Sequence, residues 1–137
     1  MVGSAVGRAM SEHELSHAII KAGLKVHSTL GPGLLESTYQ ACLAYELRKA
    51  GFKVDVELKL PIVYEEVKLE VGYRLDLLVN DRVIIELKSV EKITDVHMAQ
   101  AISYLKLSKK KLCLIMNFNV LHLKDGIKRV VEGTGWK

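Results

Sequence analysis

The stretch from Tyr73 to Lys88, Y-R-L-D-L-L-V-N-D-R-V-I-I-E-L-K, constrains this chain more than any other. Its apolar, β-branched composition predicts two buried strands around Asn80-Asp81. Yet Asp76, Glu86 and Lys88 stand where a plain core strand would carry Val or Ile. Burying an ionised side chain without a partner is costly, so such groups are paired or bind a cation. Strand side chains alternate, so Glu86 and Lys88 share one face of their strand. Arg74 and Asp76 likewise share a face of the preceding one.

Loop length decides whether the two acids meet. With a two-residue Asn80-Asp81 loop, Val79 lies opposite Arg82, Asp76 faces Ile85, and the carboxylates point to opposite faces. A three-residue loop, Asn80-Asp81-Arg82, or one bulge, instead places Asp76 opposite Glu86 and Arg74 opposite Lys88. Directly opposite Cβ atoms stand about 4.5–5.5 Å apart. Two carboxylates that close repel by about 4 kcal/mol at 4 Å and an effective dielectric of about 20. A divalent cation removes that penalty, and hard oxygen ligands suit Mg²⁺ or Mn²⁺ better than zinc. The competing arrangement is an internal salt-bridge network in which Arg74 and Lys88 neutralise Asp76 and Glu86.

The rest of the 137 residues reads as one domain built around this hairpin. Leu15, Ile19, Ala22 (with Gly23) and Val26 recur at helical spacing within residues 12–29. His13 and His17 share a face of that helix, but no acidic third ligand of a zinc motif accompanies them. Gly31-Pro32-Gly33 ends it. A second helix is expected from Leu34 to Ala50, stopping at Gly51. Leu35, Tyr39, Cys42, Leu43 and Leu47 form its apolar stripe, and Glu36 sits in its first turn, near the positive end of the helix dipole.

Val54, Val56, Leu58 and Leu60 then alternate with charged residues as a half-buried strand that Pro61 ends. Strands at Ile62–Tyr64 and Val67–Val71 flank a turn at Glu65-Glu66. Beyond the central hairpin, Asp95 is the expected cap of a helix reaching Leu107, with Val96, Ala99, Ile102 and Leu105 inward. Leu112–Phe118 suits a buried central strand. Asp125-Gly126 signals a tight turn between Val120–Lys124 and Ile127–Val131. Residues 1–12, disordered or carried over from cloning, and the tail 133–137 fall outside the expected domain, 13–132. This order predicts an α/β fold: a mixed β-sheet flanked by helices.

Charge and composition narrow the function. A net charge of +4 modestly favours a polyanionic partner. Two basic groups, Lys106 with Lys109, Lys110 and Lys111, and Lys124 with Lys128 and Arg129, read equally well as solvated faces. Two phenylalanines and one tryptophan, not interleaved with those lysines, give little support to a base-stacking platform. No apolar run approaches the roughly 20 residues needed to cross a bilayer. Cys42 and Cys113 sit in apolar contexts and read as free thiols rather than a disulfide. A cytoplasmic protein is the expectation.

Gly33-Leu34-Leu35-Glu36-Ser37-Thr38-Tyr39 is a G-x-x-E-x-x-Y match, and it precedes R-L-D-L-L-V and I-E-L-K. Together with H-M-A-Q-A-I-S-Y-L and N-F-N-V-L-H-L-K-D-G-I-K-R, these stretches resemble the GxxExxY family, a branch of the PD-(D/E)XK nuclease superfamily, over residues 13–132. The resemblance implies a restriction-endonuclease-like core and a Mg²⁺- or Mn²⁺-dependent nuclease acting on nucleic acid, DNA ahead of RNA. Asp76 and Glu86 would then hold the metal, with the Leu87 carbonyl a further ligand and Glu36 in direct or water-mediated contact. Lys88 would orient the attacking water and offset charge on the phosphate. Gln100 and Tyr104 would line the same cleft, with Arg74, His97 and Tyr104 as candidate substrate contacts. No proline precedes Asp76; Leu75 stands there. A homodimer presenting two sites would help duplex cleavage. The alternatives are a non-catalytic nucleic-acid- or protein-binding module on the same fold, and a small structural partner whose charges simply pair.

Overall fold

A computed structural model describes residues 10–133. Helices α1 (Glu12–Leu30) and α2 (Glu36–Lys49) lead into β1 (Val54–Lys59), β2 (Ile62–Tyr64), β3 (Val67–Leu69), β4 (Arg74–Val79) and β5 (Val83–Lys88). Helix α3 (Asp95–Ser108), β6 (Leu112–Asn117), a 3-10 turn (Leu123–Gly126) and β7 (Ile127–Val131) complete the chain. Of the expected terminal segments, residues 1–9 and 134–137 lie outside the described residues. Ser11 and Glu12 belong with the helix: Ser11 caps α1 in a reciprocal box with Glu14, which satisfies two otherwise unpaired N–H groups.

Five strands form one sheet in the order β1-β4-β5-β6-β7. β5 and β6 run parallel, joined across α3, and the other neighbours are antiparallel. Leu15, Ile19, Leu43 and Leu47 of α1 and α2 pack on one face against Leu77, Ile85 and Leu114. Ala101, Tyr104 and Leu105 of α3 pack on the other against Ile84, Cys113 and Ile115. With both faces covered, β5 and β6 are buried almost throughout, which is why they read as unbroken apolar runs. Both cysteines are free thiols. Among the described residues no helix is long and apolar enough to cross a membrane.

Several local expectations are corrected. Helix α2 begins at Glu36, not Leu34, and its cap residue Leu35 lies exposed rather than in the apolar stripe. Thr94, not Asp95, caps α3, with its hydroxyl accepting the His97 N–H. Val96 is 76% exposed and Ala99 is exposed as well; Ala101, Tyr104 and Leu105 are the buried positions. The run M-A-Q-A-I-S-Y-L carries apolar residues on two adjoining helical stripes, and only the sheet's position selects one.

Val56 and Leu58 are exposed because β1 is an edge strand whose outer half no helix covers. Strands β2 and β3 form a separate two-stranded hairpin, turned at Glu65, rather than joining the sheet. Val120–Lys124 forms no strand, and β7 pairs with β6 instead. The 3-10 turn needs glycine at its end: a Cβ on Gly126 would stand 2.3 Å from the Asn117 carbonyl oxygen.

Candidate active site

The β4–β5 turn has the three-residue form. Val79 pairs with Val83, Leu78 with Ile84 and Leu77 with Ile85. Asn80 and Asp81 both take positive φ, which short polar side chains tolerate best, and the Arg82 N–H closes the turn on the Val79 carbonyl at 2.9 Å. The Arg82 guanidinium anchors this turn to Glu12 at 2.9 Å. The ladder stops at Leu77 and Ile85, and Asp76 and Glu86 come next, close enough for each side chain to bond the backbone of the opposite strand.

At that level the ladder gives way to side chains. The Asp76 N–H donates to Glu86 Oε2 at 3.1 Å, and the Leu87 N–H donates to Asp76 Oδ2 at 2.8 Å. Each carboxylate therefore sits in a backbone bond across the gap between the strands. No buried side-chain nitrogen or oxygen among the described residues lacks a partner. Asp76 Oδ1 and Glu86 Oε1 make no such bond and are therefore not fully buried.

Burial sets the electrostatics. Glu86 is 5% exposed, and desolvation, followed by the charge of Asp76, pushes its carboxyl up to about 8. Desolvation also raises Asp76, while the Leu87 N–H and the Lys88 charge pull it back down. The salt-bridge alternative is not formed: among the described residues, neither acid pairs with Arg74 or Lys88. Arg74 instead meets Glu57 at 3.4 Å, where both side chains are half exposed. Lys88 is half-buried, and its carbonyl accepts the Phe118 N–H at 2.9 Å.

Tyr39 explains how the G-x-x-E-x-x-Y stretch delivers Glu36. Its hydroxyl donates to the Gly31 carbonyl at 2.5 Å and accepts the Leu34 N–H at 3.1 Å, so it ties down the loop before α2. The buried ring stacks on Phe118 with centroids 4.5 Å apart. Glu36 then accepts the Ser89 N–H at 3.2 Å, just past Lys88, and the Ser89 hydroxyl donates to the Leu34 carbonyl at 2.8 Å. The Glu36 charge contributes to raising both Asp76 and Glu86. A cleft of about 870 Å³ opens here, lined by Gly33–Thr38, Ser89 and Asn119.

On the α3 side, burial and then the charges of Glu86 and Asp76 push Tyr104 up to about 12. Tyr73 meets it edge-on at 6.5 Å. Gln100 lies one turn earlier and is half-buried. His97 spends Nδ1 on the Thr94 N–H at 3.0 Å, completing the helix cap. Leu87 is buried in the α1–α2 core, with its N–H given to Asp76.

Three residues outside the sequence reading also belong here. Glu57 of β1 accepts from Gln40 Nε2 at 3.1 Å and adds to the raising of Asp76. Gln40 is one turn after Glu36, a spacing that could have flagged it. Asn117 lies beside Lys88 in the β5–β6 ladder, and its side chain bonds both the N–H and the carbonyl of Val90, at 3.1 and 2.9 Å. The lysines 109–111, by contrast, precede β6, while the acids lie toward the other end of its parallel neighbour β5. That basic group is at the far end of the sheet from the acids.

The donor set fits a hard divalent cation: two carboxylates, each with one oxygen held by a backbone N–H and the other left unbonded. Among the described residues no group of three or more His, Cys, Asp or Glu is assembled for metal binding. His13 and His17 stand with ring centroids 6.2 Å apart and join no such group.

The model of the PD-(D/E)XK nuclease superfamily matches residues 13–130. Comparison with curated proteins and with solved structures gives no match. The match runs from α1 to β7 and takes in Asp76, Glu86 and the lysine two residues on, within a restriction-endonuclease-like mixed sheet. The chain belongs to the PD-(D/E)XK nuclease superfamily.

Proposed function

We propose that this chain is a metal-dependent nuclease of the GxxExxY branch, hydrolysing phosphodiester bonds of nucleic acid, DNA ahead of RNA. One observation carries the reading. Asp76 and Glu86 are held against each other across the strand gap, largely buried, with no cationic side chain among the described residues paired to either. Such a pair destabilises the fold unless something neutralises it. A structural partner with internally paired charges would have no reason to keep it.

Asp76 and Glu86 would hold Mg²⁺ or Mn²⁺, with the Leu87 carbonyl and Glu36 as further contacts. The bound cation supplies Lewis acidity toward the phosphate and lowers the pKa of a water. Lys88, two residues beyond Glu86, orients that water and offsets charge gathering on the phosphate. Gln100 and Tyr104 form the α3 wall of the cleft. Arg74, exchanging Glu57 for a phosphate, and His97 contact the substrate. A homodimer would present two such sites to a duplex, and the cytoplasm is the proposed compartment.

The test is cleavage of single-stranded and duplex DNA and of RNA, with Mg²⁺ or Mn²⁺, by the wild type, Asp76→Ala and Lys88→Ala. Each variant is expected to lose about 10²-fold or more in rate. Equal cleavage by all three would assign the activity to a contaminant. Salt-sensitive binding with no cleavage by the wild type would point to the binding module instead.

A further inference from the structure

We infer that Glu57 is a positioning residue for the Asp76–Glu86 pair, acting through its backbone conformation; the inference rests on the reading of that pair as a cation cradle. Glu57 lies within β1 at a φ of 52°. A left-handed residue other than glycine inside a strand is costly and is kept only where the surroundings demand it. The β1–β4 register pairs Val56 with Leu77 and Leu58 with Leu75. The pair between them, Glu57 with Asp76, is missing from an otherwise continuous ladder.

The hydrogen bonding changes sides at the same level. The Asn80 N–H donates to the Lys53 carbonyl at 2.8 Å. Alternation then turns the N–H groups of Leu78 and Asp76 toward β1 as well, and the odd-numbered residues of β1 toward β4. Past Glu57 the pattern is reversed: the N–H of even-numbered Leu60 donates to the Tyr73 carbonyl at 2.8 Å. Both strands therefore turn over at the Glu57–Asp76 level, since Leu77 and Leu75 of β4 also face opposite cores, and in β1 the residue that leaves the extended region is Glu57. Packing agrees. Val54 and Leu77 belong to the core under α1 and α2, whereas Leu60 and Leu75, an even number of residues away, belong to the core under α3.

In a regular ladder the Glu57 carbonyl would take the Asp76 N–H. With Glu57 left-handed and that pair missing, β4 turns over at Asp76 in step with β1, and the Asp76 N–H donates instead to Glu86 Oε2 on β5 at 3.1 Å. The bend in the edge strand thus supplies the donor that seats a carboxylate of the cradle. The Glu57 side chain is secondary, since its bonds to Gln40 and Arg74 are solvent-exposed.

The test compares substitutions that differ in their tolerance of positive φ. Glu57→Gly and Glu57→Asn keep that region accessible and remove the carboxylate, while β-branched Glu57→Val disfavours it. Hydrogen exchange of the Asp76 amide is followed by NMR, and Mn²⁺ affinity by calorimetry, with circular dichroism checking the fold. The Gly and Asn variants should keep the protected amide and an affinity within about threefold of wild type, whereas Val should expose the amide and weaken Mn²⁺ binding about tenfold or more. If Glu57→Val does not fold, Glu57→Ala carries the same expectation in milder form. Wild-type amide protection in the Val (or Ala) variant, or equal loss in the Gly and Val variants, would overturn the proposal. Absence of Mn²⁺ binding by the wild type would instead remove the cradle reading, and the amide comparison would still decide the role of Glu57.

Discussion

Asp76 and Glu86 are each held by the other's strand: the Asp76 N–H bonds Glu86 Oε2 at 3.1 Å, and the Leu87 N–H beyond Glu86 bonds Asp76 Oδ2 at 2.8 Å. Two ladder bonds are thereby exchanged for two bonds to carboxylates. The exchange holds two acids in place although burial disfavours their charge, and four predictions follow from it and its supports.

Glu86 makes stability depend on pH. An unfolded chain loses this proton near 4.5, whereas the folded protein keeps it until about 8. Between those values the folded state binds more protons, so stability falls as pH rises, with the penalty complete above about pH 8. A rise of that size corresponds to a few kcal/mol, on the order of 5 at the limit. In metal-free urea titrations, Glu86→Gln should therefore gain on the wild type steadily from about pH 5 to pH 9. Parallel profiles would contradict this.

Cation binding should oppose the same penalty. Mn²⁺ must displace the Glu86 proton at low pH but not above about 8, so its stabilising effect should be larger at pH 8.5 than at pH 6. At a hundredfold excess over Kd the gain is about 2.7 kcal/mol, readable as a shift in Tm. Asp76→Asn and Glu86→Gln should show little of it. A shift of the same size in those variants would place the bound ion elsewhere.

Tyr39 couples the loop to the site. Tyr39→Phe removes the bonds to Leu34 N–H and Gly31 carbonyl while leaving the stack on Phe118. A loss of about 1–3 kcal/mol is expected in chemical denaturation. Cleavage should fall as well, because the same loop carries Glu36 to Ser89. Unchanged stability would show that water takes over both groups.

Two buried glycines should respond in opposite ways to alanine. At Gly126 the new Cβ would meet the Asn117 carbonyl oxygen at 2.3 Å, and that backbone cannot yield without disturbing the end of β6. At Gly23 it would meet the Met116 Cε at 2.5 Å, the mobile end of a flexible side chain. Gly23→Ala also gains about 0.8–1 kcal/mol of helix propensity. Thermal melts should show Gly126→Ala losing several degrees or more, and Gly23→Ala within a degree or two of the wild type.

The amino-acid sequence by itself determined the two acids, the lysine beside them and the condition on their loop. Those follow from alternation and turn chemistry, which act over a few residues. Tyr39 and Glu36 were legible for the same reason, being three apart on one helix. What required the tertiary structure was every choice between two locally equivalent faces. Helix α3 carries two apolar stripes, and the sheet selects Ala101, Tyr104 and Leu105. The lysines 109–111 look like part of a polyanion-binding site until the parallel β5–β6 pair sends them to the far end of the sheet. Glu57 reads as an ordinary outward charge on an alternating strand. Its left-handed conformation shows only in the fold, where its pair with Asp76 is missing from the β1–β4 ladder and the Asp76 N–H bonds Glu86.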